Sequence, residues 1–141
     1  MRLHTLPGGG TAARYPAAVY QWRGQVQQAV AQLEAEPFHG PVELHLAFDL
    51  PRPSGHFGTG RNAGTIKPSS PTWPIVAPDL DKLVRAVMDS VTDAGLWRDD
   101  SQVVAIHATK CYVTTPPGVT ITVADIGRLT DEVLPFTPTV T

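Results

Sequence analysis

Apolar residues recur along this chain with two different periods, and the change of period divides it into elements. From Val42 to Leu50 the alternation is strict. Val42, Leu44, Leu46, Phe48 and Leu50 fall on one side and Glu43, His45, Ala47 and Asp49 on the other, the period of two of a half-buried strand. From Leu80 the period lengthens. Leu80, Leu83, Val84, Val87, Met88 and Val91 form the stripe of an amphipathic helix with one face against a core. Asp81, Lys82, Arg85, Asp89 and Ser90 then occupy the outward arc, where Asp81 with Arg85 and Arg85 with Asp89 are i,i+4 pairs that support the helix. Gly95, just past the last periodic position, suits a left-handed helix stop. Val103–Val113 and Val119–Val123 read as two further strands. The run Thr114-Thr115-Pro116-Pro117-Gly118 between them predicts a hairpin.

The flanking stretches are less regular. Leu3–Leu6 is a short strand, followed by the flexible break Pro7-Gly8-Gly9-Gly10. Pro16 suits the first turn of a helix running to about Glu36, with Val19, Trp22, Val26, Ala29, Val30 and Leu33 inward and Gln21, Gln25, Gln28 and Gln32 outward. Pro37 and Gly40-Pro41 end it. Residues 51–77, rich in Pro, Gly and Ser, have no period and form a long flexible loop, functional or disordered. An irregular tail with one helical turn follows from about residue 126. This order gives an α+β fold class, a small mixed sheet with helices packed on one face. At 141 residues the chain is expected to be a single domain, 1–141.

Composition narrows the function. With 42% apolar residues the chain can build a real core. A formal charge of −2 means that any nucleic acid would have to be held by a local basic patch. The 51–77 loop offers one: Arg52, His56, Arg61 and Lys67 without a single acid, interleaved with Phe57 and Trp73. That pattern suits an arm that grips phosphates and stacks on bases, and equally a solvated linker. One cysteine, Cys111, excludes an internal disulfide and reads as core filling. His45, alone on the polar side of its strand, reads as a surface group. No apolar run approaches a membrane span, and MRLHTLPGGG has no signal-peptide core. No membrane partner is expected, and the expected compartment is the cytoplasm.

The chemistry concentrates between Pro78 and Val104. Asp79 and Asp81 flank the helix start, where carboxylates relieve unpaired N–H groups and the positive end of the dipole. If the chain enters the helix extended, residues two apart point the same way, and both carboxylates could share an ion. Asp100 adds a third at the entrance of the next strand. Hard cations such as Mg²⁺ take oxygen ligands and keep several waters, so two or three carboxylates suffice.

These residues resemble the RusA-type Holliday-junction resolvases (crossover junction endodeoxyribonucleases) of bacteria, their phages and prophages. The family pattern is a D-x-D-N-L-x-K run opening a helix and an Asp-Asp-x-Gln-Val run after it. Here Asp79-Leu80-Asp81-Lys82-Leu83-Val84-Arg85 and Asp99-Asp100-Ser101-Gln102-Val103 correspond, with Asp100 nineteen positions beyond Asp81, the family's spacing. The resemblance implies that Asp79, Asp81 and Asp100 are catalytic and bind Mg²⁺, with Mn²⁺ a substitute. It also implies a homodimer acting on branched DNA, encoded by a phage or prophage. Lys82 replaces the usual Asn. Arg85 replaces a functional Lys, keeping the charge without any ability to lose a proton. Catalytic work then falls to Asp79, Asp81, Asp100 and Arg85, and DNA contact to Lys82, Arg85, Lys110, Arg52, Arg61 and Lys67. Lys110, on a strand, also suits an edge guard. Two other classes compete: a non-catalytic DNA-binding or phage assembly protein whose aspartates cap helix and turn, and another Mg²⁺-dependent phosphohydrolase acting on nucleotides.

Overall fold

A computed structural model of the chain describes residues 3–6, 10–16, 28–33, 36–115 and 117–128. The strands are β1 (Leu3–Leu6), β2 (Gly10–Pro16), β3 (Val42–Pro51), β4 (Val103–Val113) and β5 (Gly118–Asp125). They form one mixed sheet in the order β1-β2-β5-β3-β4, antiparallel at every pairing except that of β3 with β4. A parallel pair needs a crossover, and the central helix, Leu80–Asp93, provides it.

The alternation in β3 is repeated in its burial. Val42, Leu44, Leu46, Phe48 and Leu50 are buried because β3 is central, hydrogen-bonded by β5 on one side and β4 on the other. Against this face the helix sets Leu83, Val87 and Val91, all at most 3% exposed, and the core is completed by Val119, Ile121 and Val123 of β5 with Leu96 and Trp97. Residues 28–32 are helical, and Ala29 belongs to the same core, so both helical segments lie on one face, as expected. Gly95 ends the central helix with φ +79°. Among the described residues no helix is long and apolar enough to cross a membrane.

Several expectations are corrected. β4 and β5 do not form a hairpin: β3 lies between them. A strand spacing of about 4.8 Å puts β5 roughly 10 Å from β4, within reach of the four residues that connect them. The stretch expected to be a glycine break and a helix start contains β2, and Pro16 closes that strand opposite Gly118. The N-terminal helix does not reach Glu36, since residue 33 is already in a turn. Its inward residues Val19, Trp22 and Val26 lie outside the described residues, as does the tail beyond Arg128. Ser90 does not look outward. It is 1% exposed and its hydroxyl donates to the Ala86 carbonyl at 2.7 Å, because seven residues, nearly two full turns, bring it back over Leu83. Cys111 is only half-buried. It pairs in register with Asp49, on the side away from the core. His45 behaves as a surface group, 3.0 Å from Glu43.

The 51–77 loop carries local structure of its own. Two short 3₁₀ turns, Ser54–His56 and Gly60–Asn62, are tied by Lys67 N–H to the His56 carbonyl (2.8 Å) and Gly58 N–H to the Thr65 carbonyl (2.9 Å). The loop thereby satisfies part of its own backbone instead of leaving it to solvent.

Candidate functional site

Beside the central helix lies a cleft of about 680 Å³ lined by Leu80, Asp81, Val84, Arg85, Met88, Asp89, Asp100 and Ala108. The helix stripe is thus divided. Leu83, Val87 and Val91 go to the core, while Leu80, Val84 and Met88, only partly buried, make the apolar wall on which the charged side chains stand. Ala108 of β4 contributes a small side chain at this wall, and Asp100 comes from a separate turn, Asp100–Gln102.

Asp79, by contrast, is not among the lining residues. The helix begins at Leu80 with Asp79 as its N-cap residue in extended conformation, yet the Asp79 side chain makes no capping hydrogen bond. It instead meets Lys82 Nζ at 3.2 Å, both side chains well exposed. The expected convergence of Asp79, Asp81 and Asp100 is therefore not found: Asp81 is already helical, so the two-residue rule for extended chain no longer relates it to Asp79. Among the described residues no three His, Cys, Asp or Glu side chains stand close enough to enclose an ion by themselves. What the cleft does offer is carboxylate oxygen alone, from Asp81, Asp89 and Asp100. That donor set fits Mg²⁺, which is usually held by one or two carboxylates and completes its shell with water.

Arg85 is exposed along the same cleft. The predicted i,i+4 ion pairs with Asp81 and Asp89 do not close among the described residues, where Lys82–Asp79 is the only helix pair. Arg85 therefore lines the cleft without an ion-pair partner among the described residues. Lys110 reaches from β4 to the carbonyls of Val76 (2.8 Å) and Pro78 (3.0 Å) and so fastens the segment leading to Asp79. Arg52 donates to the Pro71 carbonyl at 2.8 Å and lies 4.6 Å from the centre of the Tyr112 ring. Lys67 donates to the Gly55 carbonyl at 3.0 Å. Three of the six expected DNA contacts thus also hold the loop. Arg61 is exposed and makes no such bond among the described residues. Of the two interleaved aromatics, Trp73 is 59% exposed, whereas Phe57 bridges to Ile66.

Asp100 is held by residues that sequence reading missed. Thr92 Oγ1 donates to Asp100 Oδ1, and the buried Trp97 donates from Nε1 to Thr92 Oγ1 at 2.6 Å, with a longer 3.4 Å approach to Asp100 Oδ1. A signal was present. Thr92 follows Asp81 by eleven residues, about three turns, and so shares its line along the helix. Gln102 holds the turn from the other side. Its side-chain oxygen accepts from the backbone N–H of Arg98 (2.7 Å) and Asp99 (3.1 Å), and its amide donates to the carbonyls of Phe38 (2.8 Å) and Gly40 (3.1 Å). Gln102→Ala should destabilise the fold by about 2 kcal/mol, since it removes four bonds, two of them, to Phe38 and Gly40, at partly buried groups. Urea unfolding of the two proteins measures this.

The family model described as Endodeoxyribonuclease RusA matches residues 5–124. The chain belongs to the RusA family. Its similarity to curated relatives is strongest locally. It is 41% identical over 50 residues to the crossover junction endodeoxyribonuclease RusA of Escherichia coli (strain K12) and to that of Enterobacteria phage 82, an alignment covering 36% of this chain and 42% of each relative. The protein of the same name from E. coli O139:H28 is 39% identical over 49 residues, 35% of this chain and 41% of the relative. The chain thus spans about two fifths of the length of the curated relatives it matches. Within this RusA family member, the acidic positions singled out by motif are divided by the fold: Asp81 and Asp100 share the cleft, and Asp79 stands at its edge with Lys82.

Proposed function

We propose that this RusA family protein is a Mg²⁺-dependent endodeoxyribonuclease that cleaves four-way DNA junctions in recombination and repair, with Mn²⁺ able to replace Mg²⁺. The observation that carries the reading is the cleft lined both by Asp81 of the helix and by Asp100 of the turn that follows it, together with Arg85. Two carboxylates that merely capped a helix and a turn would have no reason to share a wall with a guanidinium that has no ion-pair partner among the described residues. The names of its relatives favour a junction over a nucleotide as substrate.

Asp81 and Asp100 would hold the ion. Asp79 would join them by releasing Lys82, and an exposed ion pair of that kind costs about 1 kcal/mol or less to part. An ion held by these carboxylates would supply the chemistry of an activated water and of charge neutralisation at the phosphate. Arg85 orients the phosphate and adds positive charge where charge develops in the transition state. Lys110, by fixing the carbonyls of Val76 and Pro78, keeps the approach to Asp79 and Asp81 in place. Arg61 and Lys82 extend the positive surface along the DNA backbone. A homodimer supplies two such sites related by a two-fold axis, the symmetry that nicking two strands of a junction requires. Such an enzyme works in the cytoplasm of a bacterium or an infected host.

The test is cleavage of a synthetic four-way junction and of a linear duplex of the same sequence, with Mg²⁺ and with EDTA. Paired nicks in the junction alone, dependent on Mg²⁺, are expected. Binding without nicking under any divalent ion would favour the non-catalytic alternative.

A further inference from the structure

We infer that Thr92 and Trp97 are positioning residues for Asp100, forming a directed hydrogen-bond relay that sets how this carboxylate meets a divalent ion. The inference rests on the reading of Asp100 as an ion ligand. Its polarity is forced by the chemistry of the three groups. An indole N–H can only donate and an ionised carboxylate can only accept. The hydroxyl between them must therefore accept from Trp97 Nε1 (2.6 Å) and spend its own hydrogen on Asp100 Oδ1. A hydroxyl normally turns freely to suit its surroundings. Here the rotor is locked from behind, by an indole that is itself 1% exposed and for which this bond is the principal way to satisfy its N–H.

The relay also joins two elements, the helix and the turn that follows it. Thr92 lies near the end of the central helix and Asp100 begins a separate turn. Trp97, between them in sequence, is packed in the core and bridged to Phe38. Because Asp81 is carried by the same helix as Thr92, the bond to Asp100 fixes the turn against the element that bears the other carboxylate of the cleft. Holding one oxygen of Asp100 sets the rotation of the carboxylate and thereby the position of the second. Groups that orient a ligating carboxylate in this way typically control metal affinity by about 10–100-fold.

Mn²⁺ binding to the metal-free protein, followed by the loss of the free-ion EPR signal, tests the relay without reference to DNA. Thr92→Val keeps the shape of the side chain and removes the hydroxyl. It should weaken Mn²⁺ binding about tenfold, while Thr92→Ser restores native affinity. In an Asp100→Asn background Thr92→Val should have no further effect. Trp97→Phe, which removes the indole N–H together with part of a buried ring system, should weaken binding in the same direction, with melting curves showing that each variant is folded. Native affinity in folded Thr92→Val, or an equal loss with and without Asp100, would overturn the relay. If the Mn²⁺ ratios hold but the native protein leaves junctions uncut, the nuclease reading fails and the relay stands. If the native protein cuts junctions and Thr92→Val binds Mn²⁺ normally, the relay alone fails. A native protein that takes up no Mn²⁺ overturns both.

Discussion

Asp81→Asn and Asp100→Asn should each bind four-way junctions with near-native affinity and cut them at least about 10²–10³-fold more slowly, the loss typical of removing a preorganised electrostatic group from a transition state. An amide keeps the size of the carboxylate and removes the charge that holds a hard cation. The proposed phosphate contacts, Arg61 and Lys82 among them, would be untouched, so binding and chemistry should separate. Asp100→Asn also loses a charged acceptor for the Thr92 hydroxyl, so its larger structural cost should appear as a lower melting temperature than that of Asp81→Asn. Single-turnover cleavage and gel-shift titration of both variants decide the matter. Normal cleavage by either would make that aspartate structural and remove it from the active site.

Arg85→Ala should lose about 10²-fold in single-turnover rate and bind junctions more weakly, whereas Arg61→Ala should lose affinity alone. The distinction follows from position. Arg85 lies along the cleft with Asp81 and Asp100 and makes no ion pair to its helix neighbours, so its charge is available to the reacting phosphate. Arg61 lies in the Gly60–Asn62 turn of the loop and not among the residues lining the cleft, so its proposed role is backbone contact alone. Removing one such contact should weaken binding for every sequence alike and reduce the salt slope by about one unit. Arg85→Lys restores the residue usual in the family and should retain or raise the rate. Binding across a salt series, paired with single-turnover cleavage, measures all three. Equal, affinity-only losses at Arg85 and Arg61 would place Arg85 outside the active site.

The parts of this molecule legible in its sequence are those whose neighbours are near in the chain. β3 announces itself through Val42, Leu44, Leu46, Phe48 and Leu50, and all five are buried, because a central strand faces a core along its whole length. The central helix follows from its stripe and its stop at Gly95. The motif runs around Asp79, Asp81 and Asp100 were readable for the same reason, being fixed spacings along one helix and its following turn. Misreadings fell where a remote partner decided. β2 carries no apolar alternation in Gly10–Pro16 and exists through backbone pairing to β5. The Pro-rich turn before β5 reads as a hairpin, yet β3 offers both of its edges, to β4 on one side and β5 on the other.

The loop and the site show the same division. Arg52, Lys67 and Lys110 look like free cations in sequence, since a charge count cannot say which carbonyl a long side chain will reach. In the fold they meet Pro71, Gly55, and Val76 with Pro78. The sequence by itself determined the strand and helix periods, the acidic residues available to an ion and the family motif that contains them, all local properties of residue type and spacing. Tertiary structure alone decided that Asp81 and Asp100 share a cleft while Asp79 turns to Lys82, and that Thr92 and Trp97 stand behind Asp100. Those relations depend on how a helix, a turn and an edge strand pack together, and spacing along the chain, even where it sets Thr92 in line with Asp81, does not name the partner that packing supplies.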